Sequence, residues 1–208
     1  MTDDLLLELG ARVEGALANS LIALDRRDLM LADNIVRGDV EVNRIRYEIE
    51  EQITTQLSGR EANETRWMVA ALYVISDLER MGDHAEGIAK VTLMLGPNPS
   101  LQVPAVIGEM GALTTSMVHR TLAALGKRDV KAARVLCRED DDIDSLYDRA
   151  YQELISAMVS DPRHITEATY MIWITHNLER IADRATNICE RVIYLVTGRV
   201  EELNVSKY

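Results

Sequence analysis

The sequence predicts an all-α protein built as two tandem three-helix bundles, six helices in all. Three observations predict this. A phrase recurs a hundred residues apart, Gly and Pro punctuation cuts each half into three segments, and no stretch alternates with a period of two. Residues 78–88 read Leu-Glu-Arg-Met-Gly-Asp-His-Ala-Glu-Gly-Ile, and residues 178–188 read Leu-Glu-Arg-Ile-Ala-Asp-Arg-Ala-Thr-Asn-Ile. Upstream, a shift of 101 sets Glu8 on Glu109, Gly10 on Gly111, Leu21 on Leu122, Arg27 on Arg128, Asp28 on Asp129 and Asp39 on Asp140. By the Leu-Glu-Arg phrase the shift is 100, so one residue is missing from the second half. Matches in this order, with one gap, mark a duplication.

The six segments follow in order. The first runs from about Asp3 to Asp25, with Thr2 as its N-cap. The turn Arg26-Arg27-Asp28 leads to the second, which ends near Ser58-Gly59. The third runs from about Glu61 to Leu95 and stops at Gly96-Pro97-Asn98-Pro99-Ser100, a turn-rich linker. The fourth runs from near Pro104 to Gly126, and the fifth from Asp129 to about Ser160, where Asp161-Pro162-Arg163 breaks it. The sixth runs from His164 to Gly198. Prolines stand only at 97, 99, 104 and 162, outside every long periodic segment, as expected when an interior proline costs about 3 kcal/mol. Short connections force antiparallel neighbours. The expected domains are residues 1–97 and 103–208.

Composition narrows the function. Hydrophobic residues are 47% of 208, enough for a core, and with aromatics at 4% and no Phe that core is aliphatic. The net charge of −11 argues against a nucleic-acid partner, because neutralising phosphates needs a basic face. It suits a bound cation or a basic protein. Cys137 and Cys189 form no CxxC, and no signal-peptide pattern precedes them, so a reducing, cytoplasmic setting is expected. No run of about 18 apolar residues is present, so membrane association is expected only through partners.

Helical geometry turns the acids into lines. Each residue advances about 100°. With Leu78 at the centre of the third helix's apolar stripe, Val74, Ile75, Met81, Gly82 and Ala85 lie on the buried side. Glu79, Asp83 and Glu86 run along its border. The sixth helix repeats the pattern, with Glu179 and Asp183 flanking Ile174, Leu178, Ala182, Ala185 and Cys189. On the second helix Asp39 and Asn43 border Ile35, Val42, Ile45 and Ile49; on the fifth, Asp140 and Asp144 border Ile143, Leu146 and Ala150. Like charges at i,i+4 destabilise a helix by a few tenths of a kcal/mol, and a cation removes that penalty. Oxygen donors suit hard or borderline cations such as magnesium, manganese, iron or calcium. A single Glu-x-x-x-Asp is ordinarily a solvated helix face, with Arg80 and Arg180 as surface partners. Four related pairs in a duplicated frame make the cation the competing reading. His84 and His176 adjoin the motif helices and are read first as surface or capping residues, while His119 and His164 have no acidic partner at useful spacing. No phosphate loop, nucleophile elbow, HExxH or Glu-x-x-His pair occurs.

These residues resemble the PhoU family of bacterial phosphate-signalling proteins. The twice-used Leu-Glu-Arg phrase, the Arg-Asp turn before the second helix of each half and the Asp-x-x-x-Asn/Asp line carry the resemblance, from about residue 4 to 197. It implies tandem three-helix bundles that bind divalent or ferric metal ions (iron, zinc, magnesium or manganese) through their acid pairs. Here those are Asp39 with Asn43, Glu79 with Asp83, Asp140 with Asp144, and Glu179 with Asp183. It further implies a non-enzymatic negative regulator of the phosphate-starvation response and of phosphate uptake. Such a protein acts as an adaptor between a phosphate ABC transporter's ATPase subunit and a sensor histidine kinase. A homodimer is expected, cytoplasmic or peripheral at the inner membrane face. Asn43 stands where an acid is usual and Gly87 where the second half has Asn187, which predicts a weaker first-half metal site. The competing functions are an accessory role with another phosphate or ion permease, and a metal-binding storage or enzymatic role, which burial of Glu79 and Glu179 inside the bundle would favour.

Overall fold

A computed structural model describes residues 2–56, 59 and 61–203. The helices are α1 (Thr2–Arg26), α2 (Leu29–Gln56), α3 (Ala62–Leu95), α4 (Ala105–Lys127), α5 (Val130–Ser160) and α6 (Ile165–Thr197), with one 3-10 turn at Pro162–His164. Thr2, expected as a cap, is the first residue of α1 and its side chain lies outside the described residues, as does Ser58.

The punctuation acts as the sequence suggests. In both Arg-Asp turns the arginine adopts the left-handed conformation, with φ of 54° at Arg27 and 52° at Arg128. The aspartate that follows caps the next helix. Asp28 Oδ1 accepts from the Leu31 amide at 2.9 Å, and Asp129 Oδ1 from those of Lys131 and Ala132 at 3.0 Å. These bonds satisfy amides that the first helical turn leaves unpaired. Gly96 closes α3 at φ 70°, its amide donating to Thr92 and Leu93 carbonyls, a conformation that favours glycine.

Helices α1–α3 pack on one another, as do α4–α6; α3 against α6 and α1 against α4 join the halves. One continuous core runs through both, from Leu6 to Ile193. The junction is reciprocal. A Cβ on Gly10 would stand 2.8 Å from Leu122 Cδ2, and one on Gly111 would stand 2.9 Å from Leu21 Cδ2. Each glycine lets the leucine of the other half seat against bare backbone. Along α3 and α6, His84 Nδ1 lies 2.9 Å from Asn177 Oδ1 while Arg184 Nη1 lies 3.5 Å from Asp77 Oδ1. Positions 77 and 84 correspond to 177 and 184, so the duplicated halves meet as in a two-fold interface, each patch facing its own copy.

Candidate metal centre

The antiparallel packing of α2 on α3, and of α5 on α6, brings the acid borders of each pair of helices together. In the first half Asn43 Nδ2 donates to Asp39 Oδ2 at 2.9 Å, Arg46 Nη1 donates to Glu79 Oε1 at 3.3 Å, and Lys90 Nζ donates to Glu86 Oε2 at 2.6 Å. Gly82 leaves room beneath Asp39: a Cβ there would stand 3.1 Å from Val42 Cγ1 and 3.7 Å from Asp39 Oδ1. Burial raises the Asp39 carboxyl above the usual range, and Glu86, Asp83 and Glu79 raise it further against the opposing pull of Lys90. Asp83 is raised by burial and then by Glu86.

The second half concentrates more charge. Asp140 is 4% exposed, inside the apolar stripe rather than on its border as expected. Its position is about 60° from Ile143 around the helix, and α5 packs on both α4 and α6, so the buried face is broader than one helix contact requires. Burial, then Asp144, Asp183, Asp141 and Glu179, push its pKa up to about 7. Arg180 spans the opposite border, with Nη2 donating to Glu179 Oε1 at 2.5 Å, Nε to Glu179 Oε2 at 3.0 Å, and Nη1 3.0 Å from Asp183 Oδ2. His176 Nδ1 lies 3.3 Å from the Glu179 carboxylate. Glu79 and Glu179 side chains keep 17% and 16% exposure, at the edge of the bundle rather than inside it.

Among the described residues, no three His, Cys, Asp or Glu side chains converge closely enough to hold an ion. The donor set nonetheless fits one chemically. It is all oxygen apart from the Asn43 amide nitrogen, and its mutual repulsion is what raises Asp39 and Asp140 beyond the effect of burial. Ligation requires Arg180 to leave Glu179 and Asp183, and Arg46 to leave Glu79.

Several interacting residues lie outside the acid lines. Position 87 belongs to the α3–α6 seam, where a Gly87 Cβ would stand 3.0 Å from Asn177 Oδ1. Its counterpart Asn187 donates to Asp77 at 3.3 Å. The Gly87/Asn187 difference thus bears on how the halves pack. His119, read as lacking an acidic partner, has Nδ1 2.8 Å from Glu14 Oε1 across the α1–α4 junction. Both contacts join residues about a hundred positions apart, and only the reciprocity of the repeat hints at them.

Duplicated three-helix bundles with matched carboxylate borders define an all-α tandem-repeat protein, and no helix among the described residues is long and apolar enough to cross a membrane. The PhoU domain model matches residues 6–92 and again residues 107–192, and the chain belongs to the PhoU family. The phosphate-specific transport system accessory protein PhoU homolog of Clostridium acetobutylicum is 33% identical over 202 residues, covering 96% of this chain and 92% of that protein. The crystal structure of PhoU from Pseudomonas aeruginosa superposes with a TM-score of 0.91 at 31% identity, covering 95% of this chain and 96% of that one. The phosphate transport system regulatory protein PhoU from Streptococcus pneumoniae likewise gives 0.91 at 31% identity, covering 97% and 96%. The family is one of regulatory accessory proteins, not of enzymes.

Proposed function

We propose that this chain is a phosphate-responsive negative regulator of phosphate uptake, and that it links the ATPase subunit of a phosphate ABC transporter to a sensor histidine kinase. The observation that carries the reading is the match of both halves to the PhoU domain, in relatives named for the phosphate transport system. The acid borders supply the contact chemistry. Asp83 and Asp144 are exposed, where an ion or a cationic partner surface reaches them without opening the core. Asp39, Glu79 and Asp83, or Asp140, Asp144, Glu179 and Asp183, would hold a divalent or ferric ion, which would supply positive charge between the two helices of each border. The chain's own part is to hold those carboxylates along α2/α3 and α5/α6, with Arg180 and Arg46 neutralising them otherwise.

The test is complementation of a strain lacking the protein, scored by a phosphate-starvation reporter at high phosphate. Wild type restores repression, and Glu179→Ala with Asp183→Ala leaves the reporter on. Full repression by the double variant would remove the acid line from signalling. Elemental analysis of the two proteins, purified without chelator, is expected to show fewer bound ions in the variant; equal metal content would exclude the second-half site.

A further inference from the structure

The two cysteines take no part in the role proposed above, and the fold brings them together. Cys137 on α5 and Cys189 on α6 are the only cysteines of the chain, and both are buried free thiols. The Cys137 thiol donates to the Thr186 carbonyl at 3.9 Å, and Thr186 lies one turn before Cys189 on α6. The two thiols are hydrogen-bonded to each other, and Cys189 Sγ also lies 3.5 Å from Thr121 Oγ1 of α4. Duplication accounts for the placement. Shifts of 101 and 100 set the pair on Val36 and Ala89 of the first half, where Val36 packs against the small cluster that contains Ala89. The frame makes these positions neighbours in both halves, and the second half alone puts sulfur at both.

The surroundings favour ionisation of one sulfur. The hydrogen bond from Cys137 holds the Cys189 thiol below its ordinary pKa range; burial opposes this, and the Thr121 hydroxyl and the Arg120 guanidinium add to it. The same bond, and then burial, raise the Cys137 thiol. The thiolate is the nucleophilic form, and its supply separates a reactive cysteine from an inert structural one. Cys137 keeps 6% of its surface open and Cys189 none, so an oxidant enters past Cys137, and only one about the size of water fits.

We infer that Cys137 and Cys189 form a reversible modification site, a dithiol that hydrogen peroxide oxidises to a disulfide clamping α5 to α6. The Cys189 thiolate attacks a peroxide oxygen, the O–O bond breaks, and the departing hydroxide takes up the proton that Cys189 released, leaving as water. The Cys137 thiol then attacks the sulfenic sulfur of Cys189, the S–O bond breaks, and the hydroxide leaves with the Cys137 proton as a second water. Two thiols give up two electrons and one peroxide takes them. The disulfide closes a loop of about 50 residues. It lies one turn from Asp140 on α5, so it fixes the two helices that carry the second-half acid border. In a reducing compartment the dithiol is the resting form and the disulfide is transient. The inference goes beyond the regulatory role proposed above and stands on residues that role does not use.

The test treats the whole folded chain with hydrogen peroxide, then unfolds it, alkylates it and maps its peptides without reductant. The expected product is one linked peptide pair joining Cys137 to Cys189, with neither cysteine alkylated and both recovered as thiols by dithiothreitol. Peroxide is also expected to raise the Tm by several degrees, since the cross-link restricts the unfolded chain. The first half supplies the controls, because Cys137→Val and Cys189→Ala install the residues found at its equivalent positions. Each variant is expected to melt close to the reduced wild type and to gain nothing from peroxide. Thiols that stay fully alkylatable in the treated wild type overturn the inference, as do cysteines that take up oxygen without linking, or that link one chain to another. An oxidised wild type whose Tm rises no more than the variants' overturns the clamp. None of these results bears on repression of the reporter, so this proposal and the regulatory one fail separately.

Discussion

The two halves solve one electrostatic problem in different ways. Asp39 and Asp140 occupy equivalent positions, as do Asn43 and Asp144, Glu86 and Thr186, and Arg46 and Tyr147. In the first half an amide bonds the aspartate, and Arg46 and Lys90 each take a glutamate. In the second half the amide is gone, one guanidinium spans Glu179 and Asp183, and Asp140 is buried among carboxylates. The groove beside α1 differs too. The first half keeps a cleft of about 290 Å³ past Asn19 and Gly38 to Asp39 and Glu86. At the equivalent positions of the second half, Arg120 and Glu139 pair at 2.5 and 2.9 Å. Duplication conserved the frame, and charge compensation diverged within it.

The largest test of this contrast is Asp140→Asn in chelator-treated protein. An acid whose pKa is pushed up to about 7 in the folded chain, from an ordinary 3.8, keeps its proton when the unfolded chain has lost it. Wild-type stability therefore falls as pH rises from about 4 to about 7, then levels. The neutral variant lacks that loss and should exceed wild type at pH 8 by up to about 4 kcal/mol, while the two converge near pH 4. Urea melts across pH check this, and parallel curves would show that Asp140 is not held protonated. Asp39→Asn should shift the pH profile less, since Asp39 is only half-buried.

A smaller effect tests the junction that makes the halves comparable. Gly111→Val places methyl groups against Leu21, and overpacking of this kind costs about 1–3 kcal/mol. Adding Leu21→Ala should recover part of the loss in a double-mutant cycle, and strict additivity would show that the contact does not matter. The smallest effect is expected from Arg120→Ala, which removes a pair only partly shielded from water and should lower stability by less than about 1 kcal/mol at low salt. A larger loss would mean the second-half cleft is held shut by that pair.

The helices, their order and the burial of Val74, Leu78, Ala85, Ile174, Leu178 and Cys189 were legible in the sequence, because period and punctuation are local signals. So were the border positions of Glu79 and Glu179. The burial of Asp140 was not, since a helical wheel assigns one buried direction and α5 has two neighbours. Ile35 proved only half-buried, because it lines the open cleft that leads to Asp39. The Glu14–His119 and Asp77–Arg184 pairs were invisible for a different reason: they depend on how one half sits on the other, which no spacing encodes.

The seam of α3 on α6 has a consequence for whatever lies along it. Because position 77 meets 184 and position 84 meets 177, a rigid body laid on this face finds nearly the same outline after half a turn. Its orientation is decided by the few places where the copies disagree. Tyr73, exposed and stacked under Arg191 at 4.5 Å, has Trp173 as its counterpart in the repeat, and Lys90 has Glu190. A handful of substitutions after duplication thus supplies the polarity, head from tail, that the fold by itself lacks.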